Sequence, residues 1–324
     1  MGLRTSRKLC AVLMLVVAGS LVLPATAAVE GRFHRILNVN GAVNIDVTTG
    51  SGNIRVRTGA ADSVEITGRI RASGWLASAD RVHQLEANPP IQQSGNTIRI
   101  GHTPSTDFLR NISIDYELVV PAQTQVTSHS GSGNQSVDGI RGSLDVTAGS
   151  GNVNVANVGS AVIAETGSGD MQLEHVDGNV QAKTGSGSIT ALAIGGGFSG
   201  ETGSGRIELE QAAPGSVHVK AGSGTIELRG VRGTLEARAG SGEISAEGDP
   251  TGGWTVHTGS GSVRLRLAND AAFDLDARTG SGVISLNRPV TVQGRITRKE
   301  IHGKVRGGGP AVEVHTSSGN IEIL

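Results

Sequence analysis

Along most of the chain, apolar and polar residues alternate in short runs that break at the same three letters. In residues 178–195, GNVQAKTGSGSITALAIG, Val180, Ala182 and Thr184 alternate with Gln181 and Lys183, and beyond the break Ile189 and Ala191 alternate with Ser188 and Thr190. A period of two on both sides of a glycine-rich turn predicts two short strands per unit, each with one buried face. The register recurs: Val153, Met171, Ile189, Ile207, Ile226, Ile244, Val263 and Ile284 share one position after the turn, and Val162, Val180, Phe198, Val217, Leu235, Trp254 and Leu275 share one before it. Smaller residues such as Ala164, Ala182, Gly200 and Ala237 lie nearer the turn, as a narrow corner between converging sheets requires. A slip of one residue would turn every ladder toward water, so the pattern pins its own register.

The break is Gly-Ser-Gly. Ten copies begin at Gly50, Gly131, Gly149, Gly167, Gly185, Gly203, Gly222, Gly240, Gly259 and Gly280, and a degenerate copy stands at Ser317-Ser318-Gly319. From Gly131 to Gly203 every step is 18 residues, and from there to Gly280 the steps are equal to that or slightly longer. A near-constant step predicts coils stacked on one another; separate hairpins would favour Asn-Gly or Asp-Gly turns and variable unit lengths. The expected fold is therefore all-β, a parallel β-solenoid read as a right-handed β-helix with about 18 residues per coil. Its corners are expected at the glycine pairs Gly131 and Gly133, Gly149 and Gly151, Gly167 and Gly169, Gly185 and Gly187, Gly203 and Gly205, Gly222 and Gly224, Gly240 and Gly242, Gly259 and Gly261, and Gly280 and Gly282. Glycine reaches positive φ without a steric penalty, which suits a bend between two strands.

The period fails twice. Between Gly50 and Gly131 the chain carries no further Gly-Ser-Gly; strands are expected at Val64–Ile70, Thr97–Gly101 and Ile112–Val120, and a short helix at Ala77–Glu86 ahead of Pro89-Pro90. Such a segment is expected to cap the first end of the stack, because a terminal coil must hide its open edge and apolar face. The tail from Asn287 to Leu324 reads as a degenerate pair of coils, its last turn at Ser317-Ser318-Gly319 standing two coils beyond Gly280. An apolar NIEIL left open at that end would favour self-association.

Composition adds a leader and removes several chemistries. Arg4, Arg7 and Lys8 precede an apolar run from Leu9 to Leu23 and then PATAA, which predicts a secretory signal peptide over residues 1–28, cleaved after Ala27 or Ala28. The single cysteine, Cys10, lies inside that apolar run, so the mature chain has no disulfide, thiolate nucleophile or cysteine metal ligand. Residues 29–130 then form an N-terminal β segment and cap, and 131–324 the regular solenoid continuous with it. Removing the leader leaves 25 Lys and Arg against 29 Asp and Glu, a net charge of −4 spread without a basic block, which argues against nucleic acid as a partner. No membrane span is expected after the leader.

The first coil VNIDVTTGSGNIRV, the central DYELVVPAQTQVTSHSGSGN and the run of S-G-x-[IV]-x-[LV] units together resemble a family of bacterial β-strand-repeat proteins, the DUF4097 and DUF2807 group of candidate adhesins. The resemblance spans most of the mature chain. It implies an exported protein of the periplasm, cell envelope or cell surface, with a parallel β-helical fold and an adhesive or scaffolding role. It supplies no catalytic residues.

The remaining chemistry is sparse. Parallel β-helices also carry polysaccharide lyases and glycosidases, the alternative reading here, but those need clustered carboxylates across a scissile bond. Asp170, Glu208, Glu227 and Glu243 are scattered, about one per coil, and aromatic residues for sugar stacking make up 2% of the chain. Calcium-binding β-rolls need G-G-x-G-x-D-x-U-x, whereas these turns place Ile or Val at the ligand position. His175, His218, His257 and His315 are isolated in sequence. No catalytic site, metal or cofactor is expected. Glu165, Lys183, Glu201 and Lys220 alternate in sign between coils, which favours the correct register, while Glu208 and Glu227 are like-charged neighbours that could mark a cation contact. The expected partners are a surface polysaccharide, peptidoglycan, an envelope protein or a second copy joined end to end.

Overall fold

The computed structural model describes residues 29–73, 79–103, 109–292 and 297–324; residues 1–28, where the leader is expected, lie outside them. Each coil contributes one strand to each of two sheets. Val162–Ser168 runs in the first sheet, the chain bends at Gly169, Met171–Val176 runs in the second, and a further bend returns it to Val180–Ser186 in the first. Neighbouring coils pair in parallel at the repeat distance, Leu144 against Val162 and Val162 against Val180, with Val153 against Met171 and Met171 against Ile189 across the turn. Among the described residues the sheets hold 15 and 14 strands. The ladders read from the sequence form the core between them: Val162, Met171, Ile189, Ile207, Ile226 and Trp254 are each at most 1% exposed. Removing one such aliphatic side chain from water contributes roughly 1.5–3 kcal/mol.

The two glycines of each corner differ in what they do. The first glycine and the serine still belong to the strand, and only the second glycine takes a left-handed backbone, with φ between +134° and +156° from Gly52 to Gly282. The first is required because coils approach closely: a Cβ on Gly131 would lie 2.5 Å from the carbonyl oxygen of Gly50, whereas one on Gly50, in the first coil, would meet nothing within 4 Å. The threonine before the motif has its own task. Thr184 Oγ1 donates to the carbonyl of Gly169 at 3.2 Å, and Thr202 Oγ1 to that of Gly187 at 2.9 Å, satisfying a bend carbonyl of the preceding coil from inside the corner. The residue after the motif completes a second relay, in which Asn134 Oδ1 accepts from Asn152 N–H, Asn152 Oδ1 from Asp170 N–H and Asp170 Oδ1 from Ser188 N–H, at 2.8–3.0 Å.

The opposite corner follows a rule that the hydrophobic pattern does not reveal. Asn157, His175 and Ala193 occupy equivalent places with φ of 56°, 54° and 55°, turning Val158, Val176 and Ile194 into the core. Outside glycine this conformation costs roughly 1–2 kcal/mol, and asparagine tolerates it best. Burial of the following aliphatic residue offsets that cost.

At the first end, the coil Val43–Ser51 and Ile54–Thr58 stacks directly on Thr124–Ser132 and Gln135–Asp138, so the turn at Gly50 belongs to the regular stack although a long excursion of the chain separates it from Gly131. The intervening chain closes the end. Ile112–Val120, Ser63–Ala72 and Val29–Asn38 extend the second sheet, the last two pairings antiparallel, while Thr97–Ile100 and Ile91–Ser94 extend the first. The helix Ala79–Ala87 sets Val82 and Leu85 into the core. Its Glu86 carboxylate accepts the Arg32 N–H at 2.9 Å, and Arg35 donates to the carbonyls of Glu86 and Ala87, which satisfies both the strand edge and the helix C-terminus. Residues 77 and 78 of the expected helix lie outside the described residues.

The far end departs from chain order. The tail is not a terminal pair of coils. Ala311–Ser318 inserts between Trp254–Ser260 and Phe273–Ser281, and Ile321–Ile323 inserts between Val263–Leu267 and Ile284–Leu286. The NIEIL segment is therefore internal, with Ile321 and Ile323 fully buried, and it is not an open end for self-association. The intervening chain forms the cap: Glu300–Val305 pairs antiparallel with Phe273–Ser281 and with Thr291–Val292. This strand of the cap turns the partly exposed Glu300, His302 and Lys304 outward and buries Ile301 and Val305, so polar side chains meet solvent there in place of an open apolar ladder.

Candidate binding faces

The outward side chains form rows that cross the sheets from coil to coil. On the first sheet the row runs Thr147, Glu165, Lys183, Glu201, Lys220, Arg238, His257, His315, Arg278. Glu201 sits between Lys183 at 3.7 Å and Lys220 at 3.6 Å, the alternation read from the sequence. Such exposed pairs are worth at most about 1 kcal/mol each, so they set register more than stability. The turn serines form a parallel row at the corner, with Ser150, Ser168 and Ser186 in direct register and exposed.

The histidines correct the sequence reading. His257 and His315, far apart in the chain, become neighbours when the tail inserts, and their rings stack with centroids 5.1 Å apart and planes 3° from parallel. Desolvation under the neighbouring ring, with the nearby His315 and Arg238, holds the His257 pKa below its ordinary 6.5. Arg278 follows His315 in the same row and adds a further positive charge. The folded chain thus binds this proton less tightly than the unfolded chain, and its contribution to stability is complete above pH 6.5 and is lost as pH falls through the depressed value. We expect the thermal midpoint to drop between about pH 7 and 5, and the drop to be smaller in His257→Gln. An equal drop in the variant would assign the acid sensitivity to other groups.

The carboxylates singled out as candidate acids are engaged. Asp170 accepts the Ser188 N–H. Glu208 and Glu227 are not a cation site: Arg229 reaches both, at 2.8 and 3.4 Å, and Arg206 reaches Glu227 at 3.2 Å. The hydrogen bond and charge of Glu208 raise the Arg229 pKa further. Glu243 faces Arg264 at 3.5 Å. Among the described residues no group of three or more His, Cys, Asp or Glu side chains is placed to hold a metal ion, and no helix is long and apolar enough to cross a membrane.

The second sheet carries a different row: Thr67, Glu117, Arg55, Ser136, Asn154, Gln172 and Thr190, in direct register across seven strands. Its first part floors a groove of about 380 Å³ that also includes Arg69, Asp115, Asn53 and Asn134. Glu117 is drawn to Arg57 at 3.6 Å, and Asp115 to Arg71 at 2.5 Å while its other oxygen accepts the Asn53 N–H. Arg55 and Arg69 are exposed and have no ionic partner among the described residues. The sequence holds a trace of this cluster in the period-two arginines of IRVRT and GRIRA. Only the insertion of Ile112–Val120 between those two strands brings them to one groove.

These features define a two-sheeted parallel β-solenoid with capped ends and polar outer faces. The chain belongs to the Toastrack DUF4097 family, whose model matches residues 160–324. A comparison with curated proteins returns no match. Similar solved structures include a candidate cell adhesion protein from Clostridium sporogenes ATCC 15579, 13% identical over 91% of this chain and 98% of that one, with a TM-score of 0.22. A candidate adhesin from Bacteroides fragilis NCTC 9343 is 12% identical over 90% and 97%, with a TM-score of 0.32. A candidate lipid binding protein from Parabacteroides distasonis ATCC 8503 is 10% identical over 91% and 97%, with a TM-score of 0.38. At these scores, none of the three bears on what this chain binds.

Proposed function

We propose that the protein is an exported component of the cell envelope that binds an extended surface polymer and does not transform it. The observation that carries this reading is the unbroken register of the outer rows. Side chains such as Ser136, Asn154, Gln172 and Thr190 repeat once per coil on a rigid face, at the strand spacing of about 4.8 Å. A linear polymer laid across the strands meets a similar set of hydrogen-bonding groups at each step, and the pre-ordered face limits the entropy lost on binding. The engagement of Asp170, Glu208, Glu227 and Glu243 with backbone or arginine supports binding over hydrolysis. The leader read in residues 1–28 supports export.

The test is incubation of residues 29–324 with bacterial cell-wall and surface polysaccharides, reading retained protein and newly formed sugar ends in the same tubes. Retention without new ends is expected. Release of sugar ends would establish a lyase or glycosidase, and absence of both signals would remove polysaccharide as the partner.

A further inference from the structure

We propose that the groove over Arg55 and Arg69 is a binding site for a carboxylated polysaccharide, a chain of sugar acids whose carboxylates are taken by these guanidiniums. The proposal rests on the polymer-binding reading above and adds to it a place and a ligand chemistry.

Three observations converge on the groove. The first is charge without compensation. Arg69 stands directly across from Arg32 on one side and Asp115 on the other, but both Asp115 oxygens are already committed, one to Arg71 and one to the Asn53 N–H. Arg55 stands across from Glu117, which is held by Arg57. Like charges directly opposite in a sheet are destabilising, so the facing Arg32 and Arg69 are relieved by an incoming anion. The second is geometry. A guanidinium presents a planar fork that matches a carboxylate with two parallel hydrogen bonds, and here two such forks rise from neighbouring parts of one rigid sheet.

The third observation concerns what adjoins the arginines. The row continues from Arg55 through Ser136, Asn154, Gln172 and Thr190, a run of uncharged hydrogen-bonding side chains in which Gln172 also donates to the Glu174 carboxylate at 2.6 Å, before charge returns to the row itself at Glu208. A ligand that needs a cationic clamp at one end and neutral donors and acceptors along several coils is a polyhydroxyl chain bearing acid groups. A polyanion recognised by charge alone would need no such neutral run.

The experiment measures binding of residues 29–324 to polygalacturonate, with neutral dextran, dextran sulfate and polyphosphate as comparison polymers. It uses the wild type, the double variant Arg55→Gln/Arg69→Gln, and Arg238→Gln as an exposed charge change on the opposite sheet. Polygalacturonate is expected to bind with an affinity that falls as salt rises, to weaken roughly tenfold or more in the double variant, and to be unchanged by Arg238→Gln. Thermal unfolding of the double variant should match the wild type or lie slightly above it, since both side chains are exposed and Arg69→Gln removes the repulsion with Arg32. Equal losses in both variants, or tighter binding of dextran sulfate or polyphosphate than of polygalacturonate, would overturn the site as one for sugar acids. No binding of polygalacturonate by a chain that is still retained on cell-wall material would overturn this inference alone. Failure of both assays would overturn the polymer-binding reading with it.

Discussion

Ending the chain at Gly309 is expected to unfold the final coils of the solenoid while leaving its middle intact. The deletion removes Ala311–Ser318 and Ile321–Ile323, the coil that bridges Trp254–Ser260 to Phe273–Ser281 in one sheet and Val263–Leu267 to Ile284–Leu286 in the other. It strips backbone partners on both sides, because Gly261 and Val263 donate to Ser318 and Asn320, while Gly319 and Ile321 donate to Ser281 and Val283. In a solenoid, stability passes between nearest neighbours, so the loss should stay local. Hydrogen exchange is the measurement. Amides of residues 254–286 should lose protection, and those of residues 144–194 should keep it. A point variant tests the same insertion without shortening the chain: Val314→Asp places a carboxylate at a position 2% exposed and should cost roughly 3 kcal/mol or more. Retained protection in the truncated chain would mean that the flanking coils close onto each other, and the inserted coil would then be dispensable.

Replacing Gly187 by alanine is expected to be nearly as damaging. At φ +148° an alanine is strained, and its Cβ would run into the carbonyl oxygen of Gly169, a backbone atom that cannot move without shifting the coil below. Strain and lost inter-coil contact together should cost about 3 kcal/mol or more in urea unfolding. Gly50→Ala is the control that lacks both demands: its backbone is not left-handed and no atom lies within 4 Å of its Cβ, so the change should stay within about 1 kcal/mol of wild type. Similar losses at both positions would mean that neither the left-handed backbone nor crowding between coils is what selects glycine.

Much of the fold is legible in the sequence because the solenoid writes each coil in the same register. Period-two alternation around Gly-Ser-Gly identifies the strands, the buried ladders and the parallel pairing, since any other register exposes Val162, Ile189 or Ile207. The division of labour between the two glycines is less visible: both look like turn residues, yet the first answers to a carbonyl that belongs to the previous coil. The left-handed corner at Asn157, His175 and Ala193 leaves almost no trace, because three unlike side chains meet one backbone requirement. The candidate groove was out of reach for a different reason. Arg55 and Arg69 lie on strands that neighbour each other only through Ile112–Val120, a third strand far along the chain.

Sequence alone thus determined what is local and periodic: the strand, the turn, the inward face and the step of 18 residues, each set by steric and hydrophobic rules that act within one coil or between identical coils. Tertiary structure decided what is unique in the stack. It placed the last coil before the one that precedes it in the chain, brought His257 against His315, closed both ends, and gathered the arginines into one groove. Alternation states that a strand is buried on one face, but it does not state which strand lies beside it. That choice depends on long-range edge pairing, and several orders of equally apolar coils satisfy the same local pattern.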